Sequence, residues 1–169
     1  MFKVGIVGPE STGKTTLAKA LAEEYNEPWV PEYAREYLTQ LGRPYVQSDL
    51  LEIARGQVQA VKEARPKAKR LLFIDTEMNV MRVWSEYKYG EVDPGLMMQW
   101  QMNVCDIHIL THYDTPYEED PLRENPESRA DLFEIYHRLL QERSLPFLVV
   151  KGNHEERLRQ VKAFINPLL

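Results

Sequence analysis

The run Gly8-Pro9-Glu10-Ser11-Thr12-Gly13-Lys14-Thr15 constrains this chain more than any other feature. It matches G-x-x-x-x-G-K-[ST]. It stands between the apolar stretch Val4-Gly5-Ile6-Val7 and a helical pattern carried by Leu17, Ala18, Leu21, Ala22 and Tyr25. A strand, a glycine-bearing loop and a helix in that order build a cradle for phosphate. Gly8 lets the chain leave the strand sharply, and Gly13 lets backbone N–H groups turn onto an anion. Lys14 is expected to reach the β- and γ-phosphates, and the Thr15 hydroxyl is placed for Mg²⁺. The helix that starts near Lys14 directs its positive dipole end at the same point. Gly8, Glu10, Ser11, Thr12, Gly13, Lys14, Thr15 and Thr16 are therefore the expected binding set for ATP and Mg²⁺.

Further along, short apolar runs alternate with amphipathic stretches. Strands are expected at Pro28 to Val30, Leu71 to Ile74, Ile107 to Leu110 and Phe147 to Val150. Helices are expected over about 49–65, ended by Pro66, around Val80 to Tyr87, over Pro94 to Val104, and near Leu132 to Leu140. Ser128 is a candidate N-cap for the last of these. Asn153 and Glu156 read as the cap of a final helix whose apolar side is Leu158, Val161 and Ile165. This alternation predicts an α/β fold: a five-stranded parallel sheet covered by helices on both faces, in the manner of P-loop NTPases, with a lid. The 169 residues suffice for one domain, 1–169, with a substantial core.

Composition removes several alternatives. With 26 acidic against 21 basic residues, a net charge of −5 and no basic block, nothing points to nucleic acid. The one cysteine, Cys105, excludes an internal disulfide, and no Cys/His group has zinc spacing. His108 lies in an apolar strand and reads as a satisfied core histidine. No apolar stretch approaches the roughly 18 residues of a membrane span, and with a strand expected at the start of the sequence no signal peptide is expected. A soluble, cytoplasmic protein with a small-molecule partner is expected.

Three other segments carry candidate chemistry. Leu71-Leu72-Phe73-Ile74-Asp75 is an apolar strand ending in an aspartate, the pattern of a Mg²⁺-holding carboxylate beside the loop. Thr76 and Glu77 extend that polar edge. Pro31-Glu32-Tyr33-Ala34-Arg35-Glu36 follows the second strand, and ligands of open α/β sheets bind beyond strand carboxyl ends. Glu32 is there to accept a proton from a substrate hydroxyl or to bond a ribose, and Arg35 to hold a phosphate or to neutralise Glu32. An ordinary charged helix start has the same composition. The stretch Thr115 to Arg129 holds three prolines, five acidic residues, Arg123 and Arg129. It reads as a lid that brings arginines, Arg123 first, to a transferring phosphoryl group and excludes water. Trp84 and Tyr87, with Trp29 as a further stacking residue, are candidates for a flat heteroaromatic base; a cationic ring gains a cation–π attraction as well. Gly152 to Arg157 is placed to wrap an adenine, or it is a simple helix cap.

With these residues in hand, the chain resembles the ribosylnicotinamide kinase domain of the NadR family. The resemblance runs through Gly8–Thr15, Glu32-Tyr33-Ala34-Arg35-Glu36, Phe73-Ile74-Asp75-Thr76-Glu77, the Tyr87 region and Asp120-Pro121-Leu122-Arg123, and it covers essentially the whole chain. It implies transfer of the ATP γ-phosphoryl group, with Mg²⁺, to the 5′-hydroxyl of nicotinamide riboside. Lys14, Glu32, Asp75 and Arg123 are the implied catalytic set. Trp29, Glu32, Arg35, Asp75, Trp84 and Tyr87 are implied on the acceptor, Arg129 and Arg157 on the nucleotide, and Thr15 and Asp75 on the metal. Three departures stand out. Family members often carry a nucleotidyltransferase domain ahead of the kinase, and that activity is not expected here. Pro31 stands where the family has an aromatic, and the lid reads Asp-Pro where Asp-Gly is commoner. Two further readings stay open: a nucleotide-dependent regulatory ATPase or GTPase switch, for which Thr111-His112-Tyr113-Asp114 is faintly similar to the guanine-reading N-K-x-D, and a kinase for another nucleoside or small alcohol.

Overall fold

Strands buried on both faces need apolar side chains at every position, and this chain's short apolar runs supply them. The computed structural model describes residues 1–124 and 126–169. The strands β1 (Phe2–Val7), β2 (Trp29–Val30), β3 (Leu71–Asp75), β4 (Ile107–Thr111) and β5 (Phe147–Val150) form a parallel sheet of order β2-β3-β1-β4-β5. Between them run α1 (Lys14–Tyr25), α2 (Tyr33–Leu41), α3 (Gln47–Ala64), α4 (Met78–Tyr89), α5 (Pro94–Met102), α6 (Arg129–Glu142) and α7 (His154–Ile165). This is the expected P-loop NTPase fold.

The alternation of side chains sorts the core into two layers. Val4, Ile6, Leu71, Phe73, Ile107 and Ile109 face α1 and α7, whose Leu17, Leu21, Val161 and Ile165 close that side. Val7 and Leu110 face the other way, toward Leu50 and Ile53 of α3, Met81 of α4, Leu96 of α5 and Leu140 of α6. The chain leaves β1 for neighbours on opposite sides, so a crevice opens at the carboxyl ends of β1, β3 and β4. Open α/β sheets bind ligands at that kind of switch point.

Local signals mostly hold. Asn153 and Glu156 form a reciprocal cap: Glu156 N–H donates to Asn153 Oδ1 at 3.0 Å and Asn153 N–H to Glu156 Oε2 at 2.8 Å. Ser128 occupies the N-cap of α6, but its side chain makes no capping bond. Helix α3 starts at Gln47, ahead of the expected residue 49, and Asp49 takes the Val46 N–H at 2.8 Å, which fixes that start. Helix α2 had no signal beyond its charged first turn, because of its residues only Ala34 is buried.

Candidate active site

The loop after β1 is shaped by its glycines and by Thr111. Gly8 has φ 142°, and a Cβ there would lie 2.4 Å from Thr111 Oγ1, so only glycine lets the loop pass the end of β4. The Thr12 hydroxyl donates to Pro9 O at 2.8 Å and lies 2.6 Å from Thr111 Oγ1, which curls the loop shut on its own backbone. Gly13, with φ 77°, turns the chain into α1. Lys14 Nζ donates to Pro9 O at 2.7 Å across the mouth of the loop. Burial lowers the pKa of Lys14, while Glu32, Asp75 and Glu10 pull it back up.

Two carboxylates face this ammonium. Asp75, the last residue of β3, is fully buried and accepts the Thr15 hydroxyl at 2.5 Å. Burial raises its pKa, against the lowering effect of the Thr15 bond and of Lys14. Glu32 sits at the N-cap of α2. Burial raises its pKa too; Lys14 opposes this and Asp75 reinforces it. Thr76 follows at φ 64°, a conformation β-branched residues rarely adopt and one that clusters at functional sites. Gln57 of α3 ties the two carboxylate segments together. Its Oε1 accepts Tyr33 N–H at 2.8 Å, and its Nε2 donates to Pro31 O at 3.3 Å and to Asp75 O at 3.4 Å. The sequence reading missed Gln57. The signal was present: it is a polar residue on the buried stripe of Leu50, Ile53, Ala54 and Val58.

Lys14, Thr15 and Glu32 border a cavity of about 420 Å³; Asp75 lies behind them, bonded to Thr15, and is not among the lining residues. Gly8, Glu10, Ser11, Thr12, Gly13, Lys14, Thr15 and Thr16 line its phosphate end, and Glu32 and Arg35 one wall. Leu38, Val83, Trp84, Tyr87, Leu132 and Tyr136 make the far end apolar and aromatic. The segment from Thr115 to Glu124 lies over the loop. Thr115 Oγ1 donates to Ser11 O at 3.0 Å, Glu118 N–H to Ser11 Oγ at 2.8 Å and Glu124 N–H to Glu10 Oε1 at 3.0 Å. Arg123 donates to Ser11 Oγ at 3.2 Å and to the Glu118 carbonyl. Arg35 pairs with Asp120 at 2.9 Å, which joins α2 to this segment. On the aromatic side, Trp84 Nε1 donates to Tyr45 Oη at 2.8 Å, and Tyr45 to Glu124 Oε2 at 2.6 Å.

Several expected residues lie elsewhere. Trp29 is not in the cavity: β2 turns it to the opposite face, into the cluster of Phe73 and α1, with Lys19 Nζ 5.4 Å from its ring. Arg157, expected around an adenine, has its donors engaged by protein acceptors. It is a buried strut beneath the loop, donating to Thr12 O at 2.5 Å, Gly152 O and His112 O at 2.9 Å each, and Asp114 Oδ1 at 2.5 Å. Asp114 is taken up by that arginine and by Gly152 N–H at 2.7 Å, so the resemblance to a guanine-reading motif has no free aspartate behind it. Arg129 ties Ser11 O and Thr115 O together, at 3.3 and 2.9 Å, and is not among the lining residues. Glu77 turns away from the cavity into the core and caps α4 through Asn79 N–H at 3.0 Å. His108 is buried as expected, but neither ring nitrogen makes a hydrogen bond of good geometry among the described residues; the Pro146 carbonyl is its one polar neighbour to raise the ring's pKa through a hydrogen bond.

The strut has a measurable consequence. Arg157→Met is expected to cost about 2–4 kcal/mol, because three carbonyls and a carboxylate lose their donor. Tm should fall by roughly 5–15 °C for a chain of this size. Calorimetry checks this, and an unchanged Tm would leave the arginine free to serve a ligand instead.

Comparison with known proteins gives the same picture. A family model described as AAA domain matches residues 3–157. The trifunctional NAD biosynthesis/regulator protein NadR of Escherichia coli (strain K12) is 30% identical over 154 residues. That alignment covers 88% of this chain and 38% of the NadR protein, so the chain spans well under half of that relative. Among solved structures, a NadR protein in complex with NR superposes at a TM-score of 0.83, with 24% identity over 98% of this chain and 50% of that one. A NadR protein in complex with NAD and AMP-PNP gives 0.77, with 23% identity over 96% and 49%. The resemblance to the NadR kinase domain read from the motifs is thus supported by sequence and by fold.

Proposed function

This chain belongs to the AAA domain family, and from the cavity at the ends of its strands we propose that it phosphorylates the 5′-hydroxyl of nicotinamide riboside with ATP, giving nicotinamide mononucleotide. Residues 1–169 act as one kinase domain in this reading. The observation that carries it is the convergence of Lys14, Glu32 and Arg123 on one cavity whose other end holds Trp84 and Tyr87. Phosphoryl transfer needs positioning and charge neutralisation more than covalent chemistry. Lys14 and Arg123 supply positive charge at the γ-phosphoryl group. Glu32 takes the proton of the 5′-hydroxyl as its oxygen attacks phosphorus in line. The bond to the β-phosphate oxygen breaks, and ADP leaves. A pKa raised by burial makes Glu32 a better base than an exposed carboxylate.

Mg²⁺ fits the donor set at the loop: the Thr15 hydroxyl and the Asp75 carboxylate stand 2.5 Å apart, both hard oxygens. When bound there, it neutralises charge on the phosphate oxygens. Gln57 keeps Glu32 and Asp75 in register by bonding the backbone of Pro31 and Tyr33, on either side of Glu32, and of Asp75. Arg35, held to Asp120, closes the lid side of the acceptor. No helix among the described residues is long and apolar enough to cross a membrane, and small-molecule partners in the cytoplasm suit this reading.

The acceptor is tested by comparing kcat/KM for nicotinamide riboside, uridine, cytidine and adenosine with MgATP. The cationic nicotinamide ring against Trp84 and Tyr87 gains about 1–2 kcal/mol over a neutral base, or about 5- to 30-fold. Nicotinamide riboside should therefore lead by that factor. A clear lead for another nucleoside sinks the acceptor and leaves the kinase standing.

A further inference from the structure

A second cluster of chemistry-bearing side chains lies in the core, away from the phosphate loop. Glu77 at the start of α4, Cys105 in the turn before β4 and His108 within β4 bring a carboxylate oxygen, a thiol sulfur and an imidazole nitrogen within 4.8 Å of one another. All three residues are buried, at 3%, 3% and 0% exposure. Buried polar groups in native proteins are almost always hydrogen-bonded. Here neither His108 nitrogen makes a hydrogen bond of good geometry among the described residues: the Pro146 carbonyl acts on the ring only weakly against its burial, and Nε2 stands 4.0 Å from Glu77 Oε2, too far for a hydrogen bond. A residue with no side chain lets Glu77 and Cys105 pack directly onto the sheet. Gly5 pairs with His108 on one side and Ile74 on the other, and a Cβ at Gly5 would lie 2.6 Å from Glu77 Cγ and 3.1 Å from Cys105 Sγ.

We propose that Glu77, Cys105 and His108 form a buried site for a zinc-class divalent cation. Thiolate, imidazole and carboxylate together are the ligand set of zinc, bound at about 2.0–2.3 Å in tetrahedral geometry. That geometry spaces ligand atoms by roughly 3.3–3.8 Å, so side-chain shifts of about 1 Å bring the trio into place. The charges close as well. A dication, a thiolate, a carboxylate and a neutral imidazole sum to zero, so the loaded set avoids the cost of an unpaired charge in the core. Binding releases the thiol proton and any proton on the carboxyl group or the ring to solvent, and no redox change is involved. The Glu77 carboxylate is already oriented by the Asn79 N–H on its other oxygen, as ligating carboxylates usually are. Hard Mg²⁺ is the wrong ion for a thiolate, so this site and the Thr15–Asp75 pair select different metals.

The chain's single cysteine makes the test direct. The 169-residue protein is refolded with excess Co²⁺, passed through gel filtration, and examined by absorption spectroscopy and elemental analysis. The expected result is close to one cobalt per chain with an intense thiolate-to-cobalt charge-transfer band in the near ultraviolet, which Cys105 alone can give. Zn²⁺ should displace the band and raise Tm. Cys105→Ser should remove the band, and His108→Gln should weaken retention at least tenfold. If these variants fail to fold, the wild-type spectrum still decides. Cobalt retained without a thiolate band places the ion on oxygen ligands such as Asp75 and overturns the proposal. Retention of less than a tenth of an equivalent, after refolding with excess metal, overturns it too, and the trio is then a hydrated polar pocket. Neither outcome bears on the kinase reading.

Discussion

Lys14→Ala is expected to lower kcat by roughly 10²–10³-fold, the loss seen when one preorganised charge-stabilising donor is removed. The ammonium lies over the loop at Pro9 O, between Glu32 and Asp75, where a γ-phosphoryl group would bring its developing charge. The fold should survive, because Lys14 is not one of the core residues and, among the described residues, its ammonium bonds Pro9 O at the cavity wall. Its loss should move Tm by no more than a few degrees. Removing the cation also leaves Glu32 and Asp75 without their nearest counter-charge, so both carboxyl groups should hold their protons to higher pH. Any residual activity should therefore have its acidic limb displaced upward. Steady-state kinetics across pH, with calorimetry, measures all three effects. Near-normal phosphorylation by the variant would remove the phosphate-loop account.

Arg123→Ala should lower kcat by about 10²–10⁴-fold and change the acceptor KM by no more than a few-fold. An arginine that neutralises the transferring group acts mainly in the transition state. Arg123 lines the cavity and spans Ser11 and Glu118, so it links the lid to the phosphate end. Arg123→Lys should recover only part of the loss, since an ammonium cannot present two parallel N–H groups to a phosphate. Arg129 is the other lid arginine, but both its observed bonds go to carbonyls, of Ser11 and Thr115. Its replacement should raise the ATP KM by loosening the lid and leave more of kcat intact. An unchanged kcat in Arg123→Ala would shift the catalytic cation to Arg129.

The sheet was legible because buried parallel strands are nearly continuous apolar runs. Leu71–Asp75 and Ile107–Thr111 are buried along their whole length. The order β2-β3-β1-β4-β5 was not, since strands buried on both faces carry no mark of which neighbour each will take. The loop residues and Glu32, Arg35, Trp84, Tyr87 and Arg123 gather at one cavity, as their positions after strand ends suggested. Trp29 does not, and the reason is phase. A strand of two residues gives no alternation to read, and Val30, the inward member of the pair, faces α3 while Trp29 faces α1. The strut role of Arg157 was not legible for a related reason: a buried arginine at the first turn of a helix looks like a surface one until its four acceptors are brought together by the fold. His108 differs: Cys105 stands only three residues before it, but Glu77 comes from another segment, so the trio shows only once the fold has formed.

The central claim is that this cavity passes a phosphoryl group from ATP to a nucleoside hydroxyl rather than to water. One measurement meets it directly: ³¹P NMR of the protein with MgATP, recorded with and without nicotinamide riboside. The account predicts one nicotinamide 5′-mononucleotide for each ADP formed, little inorganic phosphate, and almost no ADP when the nucleoside is left out. Steady ADP and inorganic phosphate at the same rate in both samples, with no phosphate ester, would contradict it and leave a nucleotide-hydrolysing switch in its place.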